Sequence, residues 1–146
     1  MSADDDPVTV LSEDECWSLL SSVSLGRLVT ILGGQPEIFP VNFVTQRRTV
    51  LFRTAQGTKL YSAVMGNWVA FEADYHDAPL TYGWSVIIKG RAHVLSANAD
   101  ILDAEEAPLR SWIATLKPLY VRMIASEITG RRFKFGPEPD RESTFA

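Results

Sequence analysis

Between residues 84 and 94 the sequence alternates more strictly than anywhere else in the chain. Trp84, Val86, Ile88, Gly90, Ala92 and Val94 fall on one face of an extended segment, and Ser85, Ile87, Lys89, Arg91 and His93 on the other. Successive side chains of a strand point to opposite sides, so this pattern predicts one long central strand with a single apolar face. Gly90 in its middle predicts a bend or bulge, of the kind a barrel needs at its corners.

The same reading finds five further strands, at residues 28–32, 37–45, 49–54, 68–74 and 120–129. Gly33-Gly34 and Gln46-Arg47-Arg48 supply turns between them. Helices take up the margins. Ser12 and Glu15 form a capping box ahead of Cys16, Leu19, Leu20 and Val23, which share one helical face. A short helix is expected over residues 58–65, broken by Gly66-Asn67, and a longer one within residues 97–116. In the latter Pro108 suits a first turn and Leu109, Trp112, Ile113 and Leu116 recur at helical spacing, before Pro118 ends it. Residues 1–11 read as a flexible arm, 12–135 as one domain and 136–146 as a loose tail. The fold class that follows is mainly β (α+β), a six-stranded antiparallel split β-barrel with flanking helices. Side chains fill so small a barrel, so a large ligand belongs in an outer cleft, often one between two subunits.

Composition excludes several functions. The 146 residues carry a net charge of −4 and no basic cluster beyond Arg47-Arg48 and Arg131-Arg132, which argues against a nucleic-acid partner. Cys16 is the only cysteine, so neither an internal disulfide nor a cysteine metal cluster can form. The acidic N-terminus lacks a signal-peptide pattern, and no apolar run is long enough to span a bilayer. A cytoplasmic protein with no membrane partner is expected. His76 and His93 have no metal-ligand pattern around them, and no nucleophile elbow is present.

Chemistry concentrates in residues 52–60, Phe-Arg-Thr-Ala-Gln-Gly-Thr-Lys-Leu. A strand ends there, a glycine turn follows, and a helix opens with a hydroxyl and a cation. The first amides of a helix are unpaired and its dipole favours an anion. Arg53, Thr54, Gly57, Thr58 and Lys59 could together cradle a phosphate, although the Walker spacing is absent. A plain strand–turn–helix corner with solvent-facing polar groups fits the local pattern equally well.

The wider order of motifs adds to this. Glu15-Cys16-Trp17, Leu25-Gly26-Arg27-Leu28, Pro40-Val41-Asn42-Phe43, the segment just described, and Gly83-Trp84-Ser85-Val86 with Gly90-Arg91-Ala92 follow one another. Together they resemble the pyridoxamine 5′-phosphate oxidase-like, FMN-binding split-barrel family over residues 12–130. The resemblance implies a flavin site in which Arg53, Thr54, Gly57, Thr58 and Lys59 meet the phosphate. Pro40, Val41 and Asn42 would lie along the isoalloxazine ring, and Ser85 would approach the cofactor from the long strand. It also implies a homodimer with cofactor sites across the interface, for which Trp84 and Trp112 are candidates, each read first as core.

Two departures from true pyridoxamine phosphate oxidases stand out. Lys59 is followed by Leu60 rather than a second basic residue, and the C-terminal Trp, Arg and His that close over the vitamin are missing. The expectation is therefore FMN as cofactor, with a deazaflavin as the alternative, and a small-molecule substrate other than pyridoxamine phosphate. The activity expected is that of a flavin-dependent oxidoreductase, a deazaflavin-dependent reductase, or a non-catalytic flavin- or haem-binding protein. No acid or base residue is assigned.

Overall fold

In the computed structural model, which describes residues 6–65 and 67–141, the predicted central strand is the spine of the molecule. It runs as β7 (Tyr82–Val94), flanked by β6 (Trp68–His76) and β8 (Leu119–Lys134), both antiparallel to it. The predicted irregularity is present: the β7–β8 register slips between Lys89 and Gly90, leaving Ser126 as the extra residue. A Cβ on Gly90 would lie 1.9 Å from the Ile124 carbonyl oxygen, so only glycine lets the two backbones approach this closely.

The remaining strands are β1 (Val8–Val10), β2 (Leu25–Leu32), β3 (Gln35–Asn42), β4 (Val44–Gln46) and β5 (Thr49–Thr54). The sheet order is β3-β2-β6-β7-β8-β5-β4, with β1 paired to β8. This is the expected curled antiparallel sheet, but with eight strands rather than six. One addition is β1, whose residues were read as part of a loose arm. They pair with Arg131, Arg132 and Phe133 because β8 runs on past residue 129 and offers a free edge.

The second addition arises where one strand over 37–45 was expected. Phe43 interrupts it. Its N–H donates to the Ser24 carbonyl at 3.0 Å, and its ring packs edge-on to Phe71 with centroids 4.8 Å apart. Burying a phenylalanine outweighs one more ladder bond. As a result β3 and β4, the two ends of the sheet order, are joined through this one residue. The curled sheet thereby closes at a seam formed by Asn42, Phe43 and Val44.

The helices are α1 (Glu13–Leu20), α2 (Lys59–Val64) and α3 (Asn98–Glu105). The α1 capping box is formed by both reciprocal bonds between Ser12 and Glu15, and Cys16 is buried on its inner face. Thr58 caps α2. The expected helix over 97–116 stops at Glu105; residues 108–118 have no regular structure. Trp112, Ile113 and Leu116 stay exposed, so no burial rewards the helical spacing, and β-branched and aromatic residues favour helix weakly on their own. Trp84 is core at 2% exposure, whereas Trp112, at 66%, is not. The reading of residues 1–5 as arm, of Gly66 as a helix breaker and of 142–146 as tail falls outside the described residues. Among the described residues no helix is long and apolar enough to cross a membrane.

Candidate functional site

The seam is where the predicted site residues gather. Val41 and Asn42 at the end of β3, Arg53 near the end of β5, and Leu109, Arg110, Ser111 and Lys117 from the irregular segment line a narrow crevice of about 20 Å³. Arg53 lies opposite Tyr120 in the β5–β8 ladder, with its guanidinium 5.1 Å from that ring's centroid. Its Nε is buried and has no hydrogen-bond partner. A buried cationic donor left unpaired is costly, and an anion in the crevice would relieve it. Asn42 Oδ1 accepts the Trp112 N–H at 2.9 Å, which ties the irregular segment down over the seam.

The adjoining turn is built differently. Gly57 takes φ +82°, the left-handed conformation this tight turn needs. Thr58 Oγ1 donates to the Ala55 carbonyl at 2.7 Å and accepts the Tyr61 N–H at 3.1 Å. Thr54 Oγ1 lies 3.2 Å from it. Lys59 forms an ion pair with Glu37 on β3. The side chains of Thr54, Thr58 and Lys59 are therefore engaged with one another, with the local backbone or with β3, at the threshold of a helix only six residues long.

Not every predicted residue joins them. Pro40 is exposed on the opposite side of β3 from the buried Val41. Ser85 sits on the outer face of β7, beside Ile87, Thr129 and Arg131, in a separate depression. The sequence reading did not single out Arg110, Ser111 and Lys117; it placed the first two on a helix and the third just beyond its end. The available signal was their bracketing by Pro108 and Pro118, which favour irregular chain as readily as a helix start and stop.

A second electrostatic feature lies on the same outer face as Ser85. Arg27 on β2 pairs with Glu72 at 3.0 Å and reaches Asp74 at 3.5 Å. Burial, and after it the neighbouring Asp74, push the Glu72 carboxyl up to about 7 against the pull of Arg27. Its Oε1 is buried without a hydrogen-bond partner. His76 and His93 lie near opposite ends of the β6–β7 hairpin, both exposed. Among the described residues no three His, Cys, Asp or Glu side chains are grouped to hold a metal ion.

Comparison with known proteins was made with this geometry in hand. The sequence profile described as "Pyridoxamine 5′-phosphate oxidase" matches residues 12–132. A Mycobacterium smegmatis structure described as an FAD binding protein is 52% identical, covers 87% of this chain and 99% of its own, and superposes with a TM-score of 0.77. A Corynebacterium glutamicum structure, assigned provisionally as a pyridoxamine 5′-phosphate oxidase, is 38% identical over 91% of this chain and 98% of its own, with a TM-score of 0.80. An uncharacterized protein of Mycobacterium tuberculosis is 59% identical over 103 residues, which span 70% of this chain and 92% of that protein.

Proposed function

The chain belongs to the pyridoxamine 5′-phosphate oxidase family, and from that premise we propose that it binds a flavin at the seam and serves as a flavin-dependent oxidoreductase for a small molecule. One observation carries the placement: Val41, Asn42 and Arg53 converge on a single crevice beside the Thr54, Gly57, Thr58 and Lys59 turn. The orphaned Arg53 Nε supports an anionic group there. The relative from M. smegmatis, described as FAD-binding, supports a flavin over haem.

In this reading Val41 and Asn42 lie along the ring, and the 54–59 turn with Arg53 receives the phosphate common to FMN, FAD and the deazaflavins. Pro40, exposed next to Val41, contributes backbone at the rim. Lys59 trades its Glu37 pair for the phosphate, which is the stronger anion. The flavin, once bound, supplies hydride or electron transfer. The protein's part is to orient the ring, neutralise the phosphate and leave one ring face open to substrate.

A homodimer completes the proposal. Ser85 lies away from its own chain's crevice, so only a second copy could bring such a residue to it. The outer sheet face supports an interface: β2 and β6 pair only from Arg27 to Val29, and beyond that point they splay around an apolar groove of about 310 Å³ lined by Ile31 and Trp68.

The test is a titration of the purified protein with FMN, FAD and a deazaflavin, read by flavin absorbance and fluorescence, with sedimentation of the same samples. Expected are saturable binding by a dimer and an affinity about tenfold weaker in Lys59→Ala or Thr58→Ala, each of which removes a contact to a charged phosphate. Full affinity in both variants would sink the phosphate anchor, and a Soret band in place of flavin absorbance would sink the cofactor class.

A further inference from the structure

We propose that the slot between β2 and β6 binds a small aromatic carboxylate, with the Thr30 hydroxyl at its floor and the Lys89 ammonium at its rim. This site is separate from the seam and does not depend on the flavin reading.

The core holds a hydroxyl that the fold leaves unused. Along β2 alternate side chains turn inward: Leu28 packs in the core opposite Phe71, and Thr30, two residues on, is also buried at 4% exposure. Its Oγ1 has no hydrogen-bond partner. Across the β2–β3 ladder it faces Glu37, whose carboxylate is paired with Lys59. Valine has almost the same shape and would bury here without stranding a polar group. The hydroxyl is therefore a cost that packing alone does not explain.

Thr30 also marks the point where two strands part. β2 and β6 pair from Arg27 to Val29. Had that register run on, Thr30 would meet Val69 and Ile31 would meet Trp68. Instead the strands diverge around the groove of about 310 Å³, and Thr30 lines it. Such a volume is at the small end of the ~300–1,000 Å³ usual for ligand pockets. Its walls are apolar, with Val29 and Ile31 on one strand and Trp68, Val69 and Ala70 on the other. A flat ring suits a slot of this kind, and the exposed Trp68 indole offers it a broad surface.

Lys89, beside Ala70 on β7, completes the lining and sets the charge. Other cations of the chain also lack an ion pair; Lys89 differs in standing at the rim of an apolar slot with an unpaired hydroxyl beneath. Arg91 adds to the positive potential, its guanidinium 5.0 Å from the Trp68 ring centroid. Of the nearby acids, Glu127 faces Lys89 from β8, on the side away from the slot, and Glu72 is paired with Arg27. The occupant that fits has an apolar ring, an anionic group outward at Lys89 and a second polar atom inward at Thr30, whose hydroxyl can donate or accept. A hydroxyaromatic acid has all three. A second subunit laid over the outer sheet face would roof this slot, whose floor residues Thr30 and Val69 turn toward the barrel interior.

The test is calorimetric titration of 4-hydroxybenzoate and of benzoate into wild type, Thr30→Val and Lys89→Met, with thermal melts of each protein alone. Expected is saturable binding of 4-hydroxybenzoate to wild type, weakened about tenfold in each variant. Benzoate, which lacks the inward hydroxyl, should weaken in Lys89→Met but differ less than twofold between wild type and Thr30→Val. Thr30→Val should melt no lower than wild type, since it removes only an unpaired group. A lower melting temperature would show that the hydroxyl already has a partner within the fold, and would overturn the site. No saturation of wild type by about 10 mM overturns it too. So does binding that neither variant weakens, which would put the acid elsewhere on the molecule. Lys89→Met changes an exposed side chain and keeps the test decisive whatever Thr30→Val does to folding. If wild type takes no acid and Trp68→Ala turns a dimer into a monomer on sedimentation, the slot is filled by a second copy, and the proposal fails.

Discussion

The β7–β8 ladder and the irregular segment 108–118 each carry a tryptophan, and the two regions behave as opposites. In the ladder Trp84 is sealed in the core between paired strands, with Tyr75 stacked near it at 6.5 Å between centroids. In the segment Trp112 is held by its backbone alone and its indole lies in solvent. Backbone pairing on both sides fixes the first region, while a single side-chain acceptor fixes the second. The rigid region sets the shape of the barrel, and the loosely tied one supplies two of the crevice's three cations. The proposed site thus includes the part of the chain that has least to hold it, as ligand-binding segments commonly do.

The sharpest way to break this contrast is to remove each indole in turn. Trp84→Ala empties a packed core position and is expected to cost about 3–5 kcal/mol. Trp112→Ala removes an exposed ring and should stay within about 0.5 kcal/mol of wild type. Urea denaturation of both variants checks the pair. Similar losses in the two would mean that the segment is packed in solution and not merely tethered.

The same contrast explains what could be read from the sequence. Period-two alternation from Trp84 to Val94 encodes the ladder directly, since each residue's face follows from its place in the strand. Gly90 could be read as a bulge because no other side chain fits there. Phe43 could not be read as a break, because its departure from the strand depends on Phe71, which is distant in sequence. Asn42, Arg53 and the 54–59 turn could be singled out because they lie on or beside strands whose order resembles a known family. Arg110, and Lys117 just past it, were passed over because of a helical pattern at Leu109, Trp112, Ile113 and Leu116, of which only Leu109 finds a packing partner. Local spacing predicts a helix only when tertiary packing accepts its apolar face.

A smaller effect tests the outer face of the sheet beside that ladder, where β6 holds a carboxylate under electrostatic stress. The Glu72 carboxyl is raised in the folded state, so its contribution to stability is fully present below its ordinary value near 4.5 and is lost as pH rises through about 7. Glu72→Gln removes the charge that burial opposes. The variant should match wild type near pH 4 and melt about 3 °C higher at pH 8, the gap opening between those values, which corresponds to roughly 1 kcal/mol for a chain of this size. Thermal scans across that range decide it, and parallel curves for the two proteins would show that Arg27 already offsets the burial.

The smallest effect probes the tie itself. Asn42→Ala deletes the acceptor for the Trp112 N–H, while Asn42→Asp keeps an oxygen in its place. A hydrogen bond of this type contributes roughly 0.5–1.5 kcal/mol net. If it alone holds the segment to the seam, the Trp112 amide should exchange with solvent roughly 2- to 12-fold faster in the alanine variant. In the aspartate variant exchange should stay near the wild-type rate, and amides of the β7–β8 ladder should be unchanged in both. Amide hydrogen exchange resolved by residue makes the measurement. Unchanged exchange at Trp112 would place the hold elsewhere, in the packing of the half-buried Leu109 against Leu51, Leu95 and Ala104. The segment would then move with that cluster rather than swing on the Asn42 bond, and widening the crevice would require α3 to shift as well.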